Sequence, residues 1–152
     1  MTSNKFSSTK EYLSQISRLD RMIKNKLTEL AQLKELSYGL SAIPNEERVQ
    51  KTPNHDKIGT AFCKIESMEE SIDKLIDEYV DKKNEIISQI DSMEDETHYD
   101  ILFSRYIEKK TFEKIATDMH YSFRNTTRLH GRALQEFEKK YGELYLKSEN
   151  VS

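Results

Sequence analysis

Apolar residues recur three or four positions apart through Tyr12, Ile16, Leu19, Ile23, Leu27, Leu30 and Leu33. Farther along they recur every seven positions through Ile65, Ile72, Tyr79, Ile86 and Met93, with Ile76 and Ile90 widening the stripe. Either spacing gathers its residues on one face of a helix. The pattern predicts two long helices, over about 10–38 and 60–95, roughly 40 and 50 Å long at ~1.5 Å per residue. Between them Gly39, Pro44, Pro53 and Gly59, helped by Ser41, Asn45, Thr52 and Asn54, predict a connection over about 39–59. Stripes this narrow do not hold a lone helix in water. The expected arrangement of residues 1–97 is an antiparallel coiled-coil hairpin, with an intermolecular coiled coil as its competitor. Lys83 interrupts the second stripe and is expected at its rim, and Cys63 is expected as a small stripe residue.

The pattern changes at Glu94-Asp95-Glu96-Thr97, an acidic knot expected to close the second long helix. Residues 98–142 are denser and more aromatic. Ile101 to Ile107 reads as a short amphipathic helix, and Glu108-Lys109-Lys110 as a polar break. Thr111 is then placed to cap a helix from Phe112 to Met119, with Ile115 and the small Ala116 facing inward. His120-Tyr121 makes a tight turn, and Ser122 caps a third helix running to about Lys140, with Leu129 and Ala133 toward the core. Two short helices joined by about three turn residues form a helix-turn-helix, and Ala116 lets them cross closely. Residues 143–152 read as a flexible tail. The expected class is all-α: a long helical hairpin, then a helix-turn-helix domain.

Composition agrees with long exposed helices. Charged residues reach 34% and Gly and Pro number only 4 and 2, which disfavours a sandwich or barrel of many short strands. The net charge of −3 would by itself argue against nucleic acid. It is, however, the sum of unlike parts. Residues 1–96 carry 14 Lys+Arg against 19 Asp+Glu, whereas residues 97–152 carry 10 against 8. The acidity belongs to the expected hairpin.

The steps Arg105-Tyr106-Ile107-Glu108, Thr111-Phe112-Glu113-x-Ile115-Ala116, Ser122 and Arg132-Ala133-Leu134 resemble region 4 of bacterial sigma factors, the domain that reads promoter DNA. The resemblance spans about 43 of the 152 residues, from Tyr99 to Tyr141. The layout, an acidic helical hairpin followed by such a domain, resembles small phage and prophage proteins of low-GC Gram-positive bacteria, of the late-gene regulator, DUF1492-like type. Three positions depart from the sigma pattern. His120 stands where Gly, Asn or Asp is usual, Thr126 where Val or Ile is usual, and Gly131 lies in mid-helix. The sequence shows no counterpart of the sigma regions that bind core polymerase, so a complete sigma factor is not expected.

The resemblance implies that Arg124, Asn125, Thr127 and Arg128 face bases and nearby phosphates. The residue chemistry agrees, since Arg can bond guanine and Asn adenine in bidentate fashion. Arg124, Arg128 and Arg132 form one ridge at i, i+4 and i+8, and no Asp or Glu occurs from 119 to 135. Arg132 and Lys114 suit phosphate, and the caps Thr111 and Ser122 complete the candidate DNA-binding set. Phe123 is expected to pack on Tyr121 and the preceding helix or to meet a thymine methyl. The expected function is sequence-specific regulation of phage or prophage transcription on double-stranded DNA. The alternatives are an adaptor binding RNA polymerase or another transcription factor without reading DNA, and a small terminase-like packaging protein. Homodimerisation through the long helices is a further expectation.

No catalytic group, cofactor or metal is expected. His55, His98, His120, His130 and Cys63 lack zinc-ligand spacing. Carboxylates such as Glu69/Glu70 and Asp77/Glu78 are adjacent and so diverge, and no phosphate-binding Gly-rich loop occurs. A single cysteine forms no internal disulfide, and there is no apolar run of membrane-spanning length or signal-peptide type. A cytoplasmic location is expected.

Overall fold

The computed structural model describes residues 5–41 and 52–146. Among these, all regular structure is helical. In chain order the elements are α1 (Ser7–Leu13), α2 (Gln15–Ser41), α3 (Thr52–Asp91), α4 (Glu96–Leu102), a π-helical turn (Phe103–Ile107), α5 (Phe112–Met119), α6 (Phe123–Tyr141) and α7 (Glu143–Leu146). No helix among the described residues is long and apolar enough to cross a membrane.

The long helices extend farther into the expected 39–59 connection than its Gly and Pro residues suggested. Residues 39–41 are helical, as are 52–59; residues 42–51 lie outside the described part. Pro53 is the second residue of α3, where the missing N–H would have had no intrahelical partner. Gly39 and Gly59 each cost a helix only about 1 kcal/mol, which many good helix formers around them offset. The other end of α3 also differs from expectation. The helix stops at Asp91, and the acidic knot opens the next helix instead: Asp95 Oδ1 accepts from the N–H groups of Thr97 (2.8 Å) and His98 (3.2 Å). Carboxylates suit the positive end of a helix dipole, hence a start rather than a stop.

The described chain divides into two compact units: Leu19–Tyr79, and the residues up to Arg18 together with those from Val80 onward. The latter unit contains the candidate site. Its core is built from Leu13, Ile16, Ile86, Ile90, Ile101, Leu102, Ile115, Leu134 and Phe137, all under 2% exposed. Polar links tie the chain-distant pieces: the Tyr12 hydroxyl donates to Gln89 Oε1 at 2.8 Å, Thr9 bonds the Tyr145 hydroxyl at 2.8 Å, and Ser92 bonds that of Tyr141. A boundary near residue 97 was the natural reading of the composition. The compact unit recruits α1 and the last turns of α3, because so few residues in α4–α6 cannot bury their apolar faces alone. Residues 143–146, read as tail, form α7 instead, and Tyr145 stacks on Tyr12 with centroids 4.6 Å apart. Residues 147–152 lie outside the described part.

In the Leu19–Tyr79 unit, Leu19, Ile23, Leu30, Ala61 and Ile72 are buried, and Lys34 Nζ pairs with Glu69 Oε1 at 3.1 Å between α2 and α3. Two expected stripe residues are largely exposed, Leu27 at 47% and Ile76 at 39%. They flank the seam, and a single partner helix covers only a narrow strip. Cys63 is also exposed. It lies two positions from the buried Ala61, about 200° around the helix at ~3.6 residues per turn. Lys83, placed at the rim in the other unit, is half-buried.

One position in α6 offers a direct gain. A Cβ at Gly131 would meet nothing within 4 Å, and its backbone is not left-handed. Gly131→Ala is therefore expected to stabilise the protein by about 1 kcal/mol, read as a higher urea midpoint at unchanged slope. A lower midpoint would show that the site lacks room.

Candidate nucleic-acid interface

The candidate surface is set by α5, the turn after it, and α6. Both helices start where their caps predicted. Thr111 Oγ1 accepts from the Lys114 N–H at 3.2 Å, and Ser122 Oγ from that of Asn125 at 3.0 Å. α5 ends with His120 in the left-handed region (φ 59°), and the Tyr121 N–H returns to the Ala116 carbonyl at 2.9 Å. His120 thus takes the conformation for which Gly is usual. Ile115 and Ala116 are buried, so α5 lies close against α6.

The buried face of α6 comprises Thr126, His130, Ala133, Leu134 and Phe137. Leu129, expected in the core, is only half-buried. The inward line runs 126, 130, 133, 137, and 129 sits at its edge. Thr126 replaces the expected aliphatic residue by turning its hydroxyl onto the Ser122 carbonyl at 2.9 Å, so the buried oxygen is satisfied within the helix.

His130 is anchored by two residues. The Tyr106 hydroxyl is 2.8 Å from its Nε2, and Phe112 meets its ring edge-on with centroids 4.8 Å apart. Burial, with smaller contributions from Lys10 and Arg105, depresses its pKa to about 4. Burial also raises the Tyr106 hydroxyl well above the ordinary tyrosine range. The pair is neutral and locks α6 to the π-helical turn. Sequence reasoning did not identify this lock, since 24 residues separate its members and nothing local marks either one. Arg105 is likewise structural in part: its Nη1 donates to the Lys110 carbonyl at 3.0 Å, and its guanidinium lies 4.2 Å from the centre of the Phe112 ring.

On the opposite side of α6, Arg124, Arg128 and Arg132 are all exposed, and Asn125 and Thr127 are half-buried. Arg128 Nη2 donates to Asn125 Oδ1 at 2.7 Å, which holds two of the candidate readers together. Thr127 Oγ1 donates to the Arg124 carbonyl at 2.9 Å. The structure thus brings five candidates to one side of a single helix. Thr111 and Ser122 are exposed but occupied as caps. Lys114 is separate, paired with Asp118 at 3.0 Å. Asp118 also holds Lys110 at 3.1 Å. Lys114 and then Lys110 lower the Asp118 pKa, while Asp118 and then Glu108 raise that of Lys110. The charge of Lys114 is therefore already partly compensated. Phe123 is 51% exposed and meets Phe112 edge-on at 6.4 Å, so it packs toward α5 without being covered.

The sequence pattern of a family described as protein of unknown function (DUF1492) matches residues 44–138. The chain belongs to this family. No curated protein and no solved structure matches the chain. The DUF1492 match takes in α3, α4, α5 and α6 as far as Glu138, and so contains every candidate contact residue. The α1 residues that cover the base of α6 (Thr9, Tyr12 and Leu13) precede the matched stretch.

Proposed function

We propose that this DUF1492 protein is a sequence-specific DNA-binding regulator of phage or prophage transcription, with α5 and α6 as a sigma-region-4-like helix-turn-helix. The observation that carries the reading is the exposed ridge Arg124, Arg128 and Arg132, flanked by Asn125 and Thr127, on a helix with no carboxylate from 119 to 135. The capped N-terminal turns of α6 would enter the major groove, with Arg124, Asn125 and Arg128 facing base edges and Arg132 a phosphate. The Lys34–Glu69 pair supports an antiparallel hairpin for the two long helices. Leu36, Tyr38 and Phe62, exposed at 62%, 71% and 65%, support pairing of those helices with a second copy.

The test is fluorescence anisotropy on duplex promoter DNA from phage or prophage late genes. Binding should weaken steeply with salt. Arg128→Ala should reduce affinity about tenfold to a hundredfold, the loss of one bidentate base contact together with release of Asn125. Its side chain is exposed, so circular dichroism should be unchanged. Equal affinity in the variant would remove α6 as the reading helix. Capture of purified RNA polymerase without DNA, combined with no binding to the duplex, would favour the adaptor reading instead.

A further inference from the structure

Asn125 and Arg128 lie one turn apart on α6, and Arg128 Nη2 donates to Asn125 Oδ1 at 2.7 Å. At ~100° per residue the two stand about 60° apart. They lie on the side away from the buried line Thr126, His130, Ala133 and Phe137. Their contact fixes how the amide is turned. A guanidinium has donors and no acceptor, so the amide atom facing it is the oxygen. The Nδ2 amino group is the end left for a ligand. Arg128 keeps its own fork as well, because Nη2 carries two hydrogens. The one not given to Asn125 still runs parallel to an N–H on Nε or Nη1.

The surrounding face also offers donors. Arg124 and Arg132 are exposed, and no Asp or Glu occurs from 119 to 135. Ser122 Oγ accepts from the Asn125 N–H, which leaves its own hydrogen to donate outward. Thr127 is the exception. Its hydroxyl hydrogen goes to the Arg124 carbonyl, so its oxygen can only accept. It stands about 100° from Arg128, toward the buried side of the helix. In the major groove guanine presents two acceptors, N7 and O6. Adenine presents one acceptor beside the N6 amino donor, thymine one beside a methyl group, and cytosine a donor. A free asparagine matches adenine because its amide both donates and accepts. Here Oδ1 keeps a second lone pair, but the guanidinium beside it confronts the adenine amino group donor to donor.

We propose that Asn125 and Arg128 act as one donor-only unit that reads guanine, and that Arg128 thereby stops Asn125 from selecting adenine. Arg128 is then a specificity residue twice over, through its own fork and through the amide it turns. The inference rests on the reading of α6 as the DNA-contacting helix.

The experiment selects duplexes from a pool with a randomised centre, using the full chain, and then measures single base-pair replacements by fluorescence anisotropy. Low salt keeps the weaker variants measurable. Asn125→Ala locates the base pair that Asn125 reads, as the position whose preference disappears. This variant keeps the backbone N–H that Ser122 caps, and circular dichroism checks that α6 is intact. At that position wild type should favour guanine over adenine by at least about fivefold. Arg128→Ala should bind more weakly and reverse the order, because the released amide can pair with adenine. Adenine preferred by wild type overturns the proposal, as does a guanine-to-adenine ratio that Arg128→Ala leaves unchanged. An Asn125→Ala variant that keeps every base preference also overturns it, while α6 remains the reading helix through its arginines. No sequence-selective binding by wild type is a different failure: it removes the DNA reading of α6 and this inference with it.

Discussion

Phe137→Ala is expected to lower the folding stability by about 3–5 kcal/mol, the cost of removing a fully buried aromatic and leaving a cavity. Phe137 is 0% exposed. Its ring lies 6.0 Å from that of Tyr12 on α1 and 5.1 Å from that of Tyr141 at the end of α6. It therefore sits where α1 meets the end of α6. Urea unfolding followed by far-ultraviolet circular dichroism measures the loss, and Phe137→Leu should show a smaller one. Marginal domains have about 5–15 kcal/mol in total, so the Ala variant should be partly unfolded near 37 °C. A loss below about 1 kcal/mol would mean that α1 and α6 do not share a core, against the usual cost of emptying one.

The second large effect is on pH dependence. His130 has a folded pKa of about 4 against 6.5 for the free side chain. Depression means that the unfolded chain binds the proton more readily. The stabilisation is therefore fully present above pH 6.5 and is lost as pH falls from 6.5 toward 4. Two and a half units correspond to about 3.5 kcal/mol at most, at about 1.4 kcal/mol per unit. The difference between wild type and His130→Gln isolates this contribution, because carboxylates titrating at lower pH are common to both. Wild type should lose stability relative to the variant between pH 7 and pH 4.5. Parallel profiles would show that the imidazole charges without cost, and hence that the Tyr106–His130 contact is open to water.

These two residues also mark the limit of what could be read in advance. The helices α5 and α6, with their caps Thr111 and Ser122, were legible to within a residue, because a cap is a local interaction between a hydroxyl and an N–H three positions on. The exposed Arg ridge was legible for the same reason, since helical period alone puts 124, 128 and 132 on one side. His130 was not, since its chemistry depends on Tyr106 and on how much water the fold excludes. The start of α3 was misplaced because Pro and Gly read as breakers, although a helix accepts Pro in its first turn.

The sequence by itself determined the helical class, the two long amphipathic segments, the capped pair of short helices and the basic face. All of these follow from periodicity and from contacts within one turn of helix. Only the tertiary structure decided which segments share a core. It joined α1, the end of α3 and α7 to the short helices, left Leu27, Ile76 and Cys63 in water, and brought Lys5 and Lys10 to one cavity with Arg105 and Lys109. The reason is physical. Apolar stripes specify that a face must be covered but not by which partner, since burial is non-directional and roughly proportional to area.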